Sequence, residues 1–303
     1  MRRRRSVVPV AALAAALSAV AVHAQTPKPG ETTAAASVSG ITQFNTDLDD
    51  GGEFHWGGGI ASGSLARQLT PELAAGLRVQ YDYQQWKFAE PTVFGGSAPW
   101  ETLSLPSIGV SLSYAPASDL RFTFAPAVEW AYETGASASD ALAYGAVLSA
   151  AKVFSPDLVL GLGAGVFRQI DETKVFPFLI VNWKLSDRLR LTNPFVAGPV
   201  GGAGLELLYT WDDNWEFAGG GTYRSYRFRL KDDGPTPGGI GEHRFVPLYA
   251  RVARKLTPQT KVDFYVAMFL GGQLSVIDAN GNDRYSTDYG ASPAIGATLS
   301  HRF

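Results

Sequence analysis

Side-chain polarity alternates with period two along nearly the whole chain, and this limits what it can fold into more than any motif does. The C-terminal segment shows the pattern. From Tyr289 the odd positions are Tyr289, Ala291, Pro293, Ile295, Ala297 and Leu299, while the even ones are Gly290, Ser292, Ala294, Gly296, Thr298 and Ser300. A β-strand turns successive side chains to opposite faces, so this segment is oily on one side and small or polar on the other. A strand with lipid on one face and a lumen on the other needs that pattern. One such segment also suits a soluble sheet; the repetition carries the argument.

The N-terminus reads as an export signal. Arg2 to Arg5 form a basic stretch, Val7 to Val22 an apolar run, and Val22-His23-Ala24 places small residues where a signal peptidase cuts. Cleavage before Gln25 is expected, because the run is short for a spanning helix and Pro9 interrupts its start. The expected organisation is a signal peptide over 1–24, a short periplasmic linker over 25–33 and one barrel domain over 34–303. Removing the signal takes four Arg from 26 bases and leaves 22 against 28 acids, a formal charge of −6. No cysteine is present, so neither disulfides nor an acylated thiol anchor contribute. Beyond residue 24 no apolar stretch is long enough for a transmembrane helix. Mean hydropathy near zero fits a wall in which only alternate residues are apolar. The mild acidity and the lack of a basic cluster argue against nucleic acid as a partner.

A short turn motif recurs between apolar residues. It is Thr-Pro or Ser-Pro at Thr70-Pro71, Ser155-Pro156 and Thr257-Pro258, and a Ser-Asp or Asp-Asn version at Ser118-Asp119, Ser186-Asp187 and Asp212-Asp213-Asn214. Proline presets φ and the Asp, Asn and Ser side chains cap their own backbone, so each makes a tight reversal. Longer polar or Gly/Pro-rich stretches lie near 45–56, 85–101, 133–140, 169–174, 194–200, 231–242 and 277–288. Tight turns at one end with longer loops at the other are the asymmetry of outer-membrane barrels, whose short turns face the periplasm. Strands are expected near 34–44, 57–69, 73–84, 102–115, 119–132, 141–154 and 157–168. The second half continues near 175–185, 188–193, 201–211, 215–230, 243–256, 259–276 and 289–303. The predicted fold is all-β, a single transmembrane antiparallel up-and-down barrel of about 14 strands, or 12 if one hairpin is lost.

Several segments assign their own faces. Leu120, Phe122, Phe124, Pro126, Val128, Trp130 and Tyr132 share one side, and Arg121, Thr123, Ala125, Ala127, Glu129 and Ala131 the other. Leu77, Val79, Tyr81 and Tyr83 oppose Arg78, Gln80 and Asp82, and Leu158 to Val166 oppose Gly161, Gly163 and Gly165. A charge facing lipid at mid-depth costs about 2–4 kcal/mol for Arg or Lys, so the charged faces point inward. Near Leu105-Pro106-Ser107 and from Tyr223 to Phe228 the apolar parity slips by one residue, which predicts bulges. Trp130, Tyr132, Trp183, Tyr209, Trp211, Trp215, Tyr81, Tyr83 and Phe303 gather at segment ends, as interfacial girdles do.

With signal, alternation, turns and a terminal aromatic, the chain resembles the single-chain outer-membrane barrels of Gram-negative bacteria. Within them it is similar to the uncharacterised domain-of-unknown-function 6268 family. It more loosely resembles porin-like proteins encoded beside aromatic-degradation genes. The resemblance implies an outer-membrane location, contact with outer-membrane lipid, and recognition of Tyr289 through Phe303 by the barrel-assembly machinery, with Phe303 as the assembly signal.

Chemistry finds little footing. His55, His243 and His301 remain after cleavage, and none has Ser two residues on, the spacing carried by outer-membrane lipases that resemble the phospholipase and deacylase types. Asp47, Asp49, Asp50 and His55 lie in one stretch and could imitate an omptin-like protease. An acidic Gly-rich loop is more often merely solvated. Asp278, Asn280, Asn282 and Asp283 surround Gly281 like a calcium loop without its closing carboxylate, so a turn nucleated by Asn280-Gly281 is preferred. Gly161-Leu162-Gly163-Ala164-Gly165 sits inside an alternating strand with no helix following, so it is no nucleotide loop. No enzyme, cofactor or metal is expected.

The inward charges remain. Arg78, Asp82, Arg121, Glu129, Lys184, Glu206, Arg224, Arg251 and Asp263, with Asn182, Arg190 and Lys255, are lumen or selectivity candidates, as charge rings are in pores. Both signs occur in comparable numbers. A passive pore or small-solute transport channel is the leading reading. A structural or adhesion scaffold without conductance is the first alternative and a lipid-modifying hydrolase the second. Trp86, Phe94 and Trp100 are the aromatics that external loops could offer an adhesion partner.

Overall fold

The computed structural model of the protein describes residues 28–196 and 198–303. The expected signal peptide, residues 1–24, lies outside the described residues, as do residues 25–27 of the expected linker. From the N-terminus the strands are β1 (Thr32–Asp47), β2 (Glu53–Gln68), β3 (Leu73–Ala89), β4 (Thr102–Ala117), β5 (Leu120–Trp130) and β6 (Tyr132–Glu133). They continue as β7 (Leu142–Ser155), β8 (Leu158–Gln169), β9 (Glu172–Lys184), β10 (Leu189–Thr192), β11 (Gly204–Thr210) and β12 (Trp215–Thr222). Last come β13 (Arg224–Arg229), β14 (Ile240–Lys255), β15 (Thr260–Ile277), β16 (Asp283–Tyr289) and β17 (Ser292–Arg302). β5 with β6, β12 with β13, and β16 with β17 are each one wall strand interrupted by one or two residues. The result is a closed antiparallel barrel of 14 strands, as the turn spacing predicted. β1 pairs with β2 on one side and with β17 on the other, so the sheet closes on itself.

Closure is what lets such a sheet cross lipid, because it pairs the N–H and C=O groups that an open edge would leave bare. The outer surface carries the apolar rows assigned above, with Leu77, Val79, Phe122, Phe124, Leu160 and Leu162 exposed, and Phe264 and Val266 of β15 join them. Leu162 is 67% exposed in a fold whose core aromatics are nearly inaccessible, the signature of a surface meant for lipid rather than water. Gly163 and Gly165 of β8 point inward, and the rings of Phe178 and Phe176 from β9 lie where a Cβ would stand on each.

Above this apolar band the polarity of the wall reverses. On β3 the outward residues change from Leu77, Val79 and Tyr81 to Gln85 and Lys87, while the inward ones become Trp86 and Phe88. On β14 Glu242 and Arg244 face out, and His243 and Phe245 face in. This reversal corrects the two predicted bulges. The pairing of β12 and β13 with β14 keeps one register from Trp215 to Arg229, and β3 keeps one register with β4 through Leu105 and Ser107. The apolar parity slips there because the apolar side moves from lipid to lumen, without any extra residue. True irregularities lie elsewhere, among them one between Arg244 and Val246 of β14, where β15 takes three steps from Gln273 to Leu270 against two, and one at Gly290-Ala291 facing it. Gly271 has φ +56°, which a glycine takes without strain. The second irregularity also corrects one face: Tyr289 points inward and is buried, whereas Pro293, Ile295 and Leu299 face out.

The strands run further outward than predicted. β1, β2 and β3 occupy much of 45–56 and 85–89, which had read as external loop. One wall strand falls short. β10 ends at Thr192 opposite Asn182, so among the described residues β9 outward of Asn182 has no strand on that side. Asn193 closes the foot of this seam: its Oδ1 accepts from Val181 N–H (2.9 Å) and its Nδ2 donates to the carbonyls of Leu179 and Gly204 (3.0 Å each). Lys184 N–H points to Asp157 on the β8 side while Val181 N–H points to the seam, so position 177 also faces the seam. Pro177 stands there and has no N–H to leave unpaired.

Candidate functional site: a lumen plugged above and wet below

Every predicted lumen residue lies on an inward face, and the structure sorts them into levels. The outer third contains none of them. It is filled by Phe54, Trp56, Trp86, Phe88, Phe228, Phe245, Phe269 and Tyr289 from the walls, joined by Phe94 and Trp100 from the segment between β3 and β4. A 3-10 turn at Thr92–Phe94 folds that segment inward, and Trp100 is 1% exposed. Trp86 stacks on Trp56 with ring centres 5.4 Å apart, and Trp100 meets Trp86 and Phe228 edge-on at 5.5 and 5.1 Å. The aromatics that were candidates for an external adhesion surface therefore form an internal plug. His243 sits within it, stacked on Phe245 at 4.4 Å with Nε2 2.7 Å from Tyr289 Oη. Among the described residues His243 Nδ1 and Trp100 Nε1 have no hydrogen-bond partner. The rim is tied by Glu133, which accepts from the backbone N–H groups of Glu101 and Lys231 (3.1 Å each).

Beneath the plug lies a buried ionic layer. Arg224 is 3.7 Å from Asp82 and donates to Tyr226, and Glu129 faces the same space from β5. Arg251 donates to both oxygens of Glu206 (Nε 3.0 Å, Nη2 2.5 Å) and to Asp263 (Nη1 2.5 Å). Tyr249 Oη donates to Glu206 (2.9 Å), and Lys261 lies 3.2 Å from Asp263. Burial forces this satisfaction, because a charge taken from water without partners costs several kcal/mol. The segment between β10 and β11 dips into this level. Val200 packs against Tyr249 and Tyr265, and Thr222 Oγ1 donates to its carbonyl (2.6 Å).

The inner half of the bore differs again. Its inward residues are small or hydroxylated: Ser62, Ser111, Ser113, Thr123 and Ser300, with contacts such as Ser113 to Thr123 at 3.2 Å. Several remain partly solvent-accessible inside the barrel, so water reaches them. Arg78, Arg121, Lys184, Arg190 and Lys255 face this half. Lys184 pairs with Asp187 in its turn (2.7 Å), and Lys255 reaches Glu216 at 3.8 Å.

The chain alone did not disclose the plug or the inward segment 198–203. One signal was present: Trp86 and Phe88 fall on the opposite parity to Leu77, Val79, Tyr81 and Tyr83. Of the histidines, His55 pairs across strands with Lys87 on the outside, and His301 Nδ1 is 2.8 Å from Thr260 Oγ1. Asp47, Asp49, Asp50 and His55 do not converge on one site. Asp278 spends its carboxylate on the N–H groups of Asn280 and Asn282 (2.9 Å each), which pulls its pKa below the usual aspartate range. Among the described residues no group of three or more His, Cys, Asp or Glu could hold a metal.

Fold and interior together define a closed transmembrane β-barrel with an internally plugged lumen. No family model matches the chain, and no curated protein matches it by sequence. Among solved structures it is similar to an outer-membrane channel from Pseudomonas putida F1, at 9% identity and TM-score 0.49 over 91% of this chain and 96% of that one. It is also similar to the toluene transporter TodX of Pseudomonas putida, at 12% identity and TM-score 0.42 over 90% and 89% of the two chains. A third is the toluene transporter TbuX of Ralstonia pickettii, at 8% identity and TM-score 0.43 over 91% and 90%.

Proposed function

We propose that the chain is a passive channel for small solutes in the outer membrane of a Gram-negative bacterium, shut at its outer end by the aromatic plug. The observation that carries this reading is the change of lining along one bore. A scaffold barrel has no use for a wet, charged inner half beneath a dry cap, whereas a gated channel needs both. The apolar band, the short turns at one end and the exposed Phe303 (79%) at that same end support the membrane placement and recognition by the assembly machinery. Kinship with the domain-of-unknown-function 6268 family rests on the signal, the alternation and the terminal aromatic alone.

Planar-bilayer recording tests the reading. Wild type should conduct in small or infrequent steps, and Phe94→Ala with Trp100→Ala should raise open probability or unit conductance several-fold. These residues come from the folded-in segment, so their truncation thins the plug without cutting a wall strand. A folded barrel that stays silent in both forms would favour the scaffold reading.

A further inference from the structure

The charges below the plug are not balanced in place. At the ionic layer each arginine is answered: Arg251 by Glu206 and Asp263, Arg224 by Asp82. In the wet half they are not. Among the described residues Arg78 donates only to the amide oxygen of Gln80 (3.2 Å) and Arg190 only to that of Asn182 (3.0 Å). Arg121 has no hydrogen-bond or ion-pair partner among the described residues. Lys255 and Lys261 both reach Glu216, each at 3.8 Å, and Lys261 also reaches Asp263 at 3.2 Å. The inner bore thus carries an excess of arginines without a carboxylate although the chain as a whole is acidic, with a formal charge of −2.

We infer that the inner, periplasmic half of the lumen is a binding vestibule for small multivalent oxyanions, with Arg78, Arg121 and Arg190 as its specificity-determining residues. The argument is electrostatic and geometric. Fixed charges of one sign inside a narrow low-dielectric wall focus their field along the axis and concentrate counter-ions there. An arginine without a carboxylate keeps its planar fork free for an incoming carboxylate or phosphate, which it can grip with two parallel N–H bonds. Ser62, Ser111, Ser113 and Thr123 line the same half of the bore and supply hydroxyl donors. The closed layer above, where Arg251 and Arg224 are neutralised, would stop the anion rather than bind it.

This names the solute class of the proposed channel, and a binding measurement tests it apart from conduction. Purified barrel in zwitterionic detergent is titrated with citrate by calorimetry, with folding of each variant checked by heat-modifiable gel mobility. Wild type should bind citrate, more weakly as salt rises. The combined Arg78→Gln, Arg121→Gln, Arg190→Gln variant should lose at least about tenfold in affinity, which is about 1.4 kcal/mol. The outward Lys152→Gln should bind as wild type does. If the combined variant does not fold, Arg121→Gln alone and the triple Arg→Lys form carry the test: the first should weaken binding, and the second, which keeps the charges but loses the planar fork, should bind more weakly than wild type while keeping the salt dependence. In bilayers under a KCl gradient, the wild-type reversal potential should favour chloride and the combined variant should lose that preference. Citrate binding by a silent barrel would overturn the channel and keep the vestibule. Conduction with no chloride preference and no citrate binding, or equal binding by wild type and variant, would overturn the vestibule and keep the channel.

Discussion

Replacing Arg251 by methionine should destabilise the barrel more than almost any other single lumen change. The guanidinium makes three hydrogen bonds, two to Glu206 and one to Asp263, and both carboxylates are nearly inaccessible, with side chains 6% and 3% exposed. Methionine fills similar space but strands two acids in the wall's low dielectric. Breaking a buried pair by removing one partner costs about 3–5 kcal/mol. Lys261 still faces Asp263 at 3.2 Å and Tyr249 still donates to Glu206, so the expected loss is about 3 kcal/mol, the lower end of that range. Adding Glu206→Gln and Asp263→Asn to Arg251→Met removes the stranded charge and should recover most of the loss. Urea titration of folding into phosphatidylcholine vesicles, read by tryptophan fluorescence and gel mobility, measures all three forms. A single variant that loses less than about 1 kcal/mol, or a triple variant no better than the single, would refute the claim that this layer is charge-satisfied by Arg251.

Asn193→Ala should cost about 1–3 kcal/mol in the same assay, because it orphans Val181 N–H and two carbonyls at the foot of the seam. Little change would mean another group closes that foot. Gly271→Val should cost about 1–3 kcal/mol, since a β-branched residue at φ +56° is strained, whereas Gly271→Asn should cost less. Asp278 should titrate below the ordinary aspartate value of 3.8, chiefly through the backbone N–H of Asn282 and then its side chain. A carboxylate with a depressed pKa stabilises its loop above the unfolded value, and that contribution fades as pH falls through the folded pKa. NMR titration of the Asp278 carboxyl carbon checks this, and Asn282→Ala should move the midpoint upward.

Much of the wall was legible in the sequence. Period-two alternation placed Leu77, Val79, Phe122 and Phe124 on one face and Arg78, Arg121 and Glu129 on the other, since a strand has only two faces and charge in lipid is costly. The six tight turns gave the strand number, because Pro, Asp and Ser reverse a chain by local chemistry. The plug was not legible. Parity says which residues share a face but not which face meets lipid, and that assignment changes where β3 and β14 leave the membrane. Trp86 and Phe245 are as apolar as Leu77, and only their height on the closed wall turns the same preference inward. The seam beside β9, the dip of Val200 into the bore and the unanswered arginines all depend on which distant strands stand opposite one another. Local pattern therefore decided the strands and their two sides, through steric alternation and the price of charge in lipid. Tertiary closure decided which side is dry at each height, because only neighbours brought together around the barrel determine where water and lipid stop.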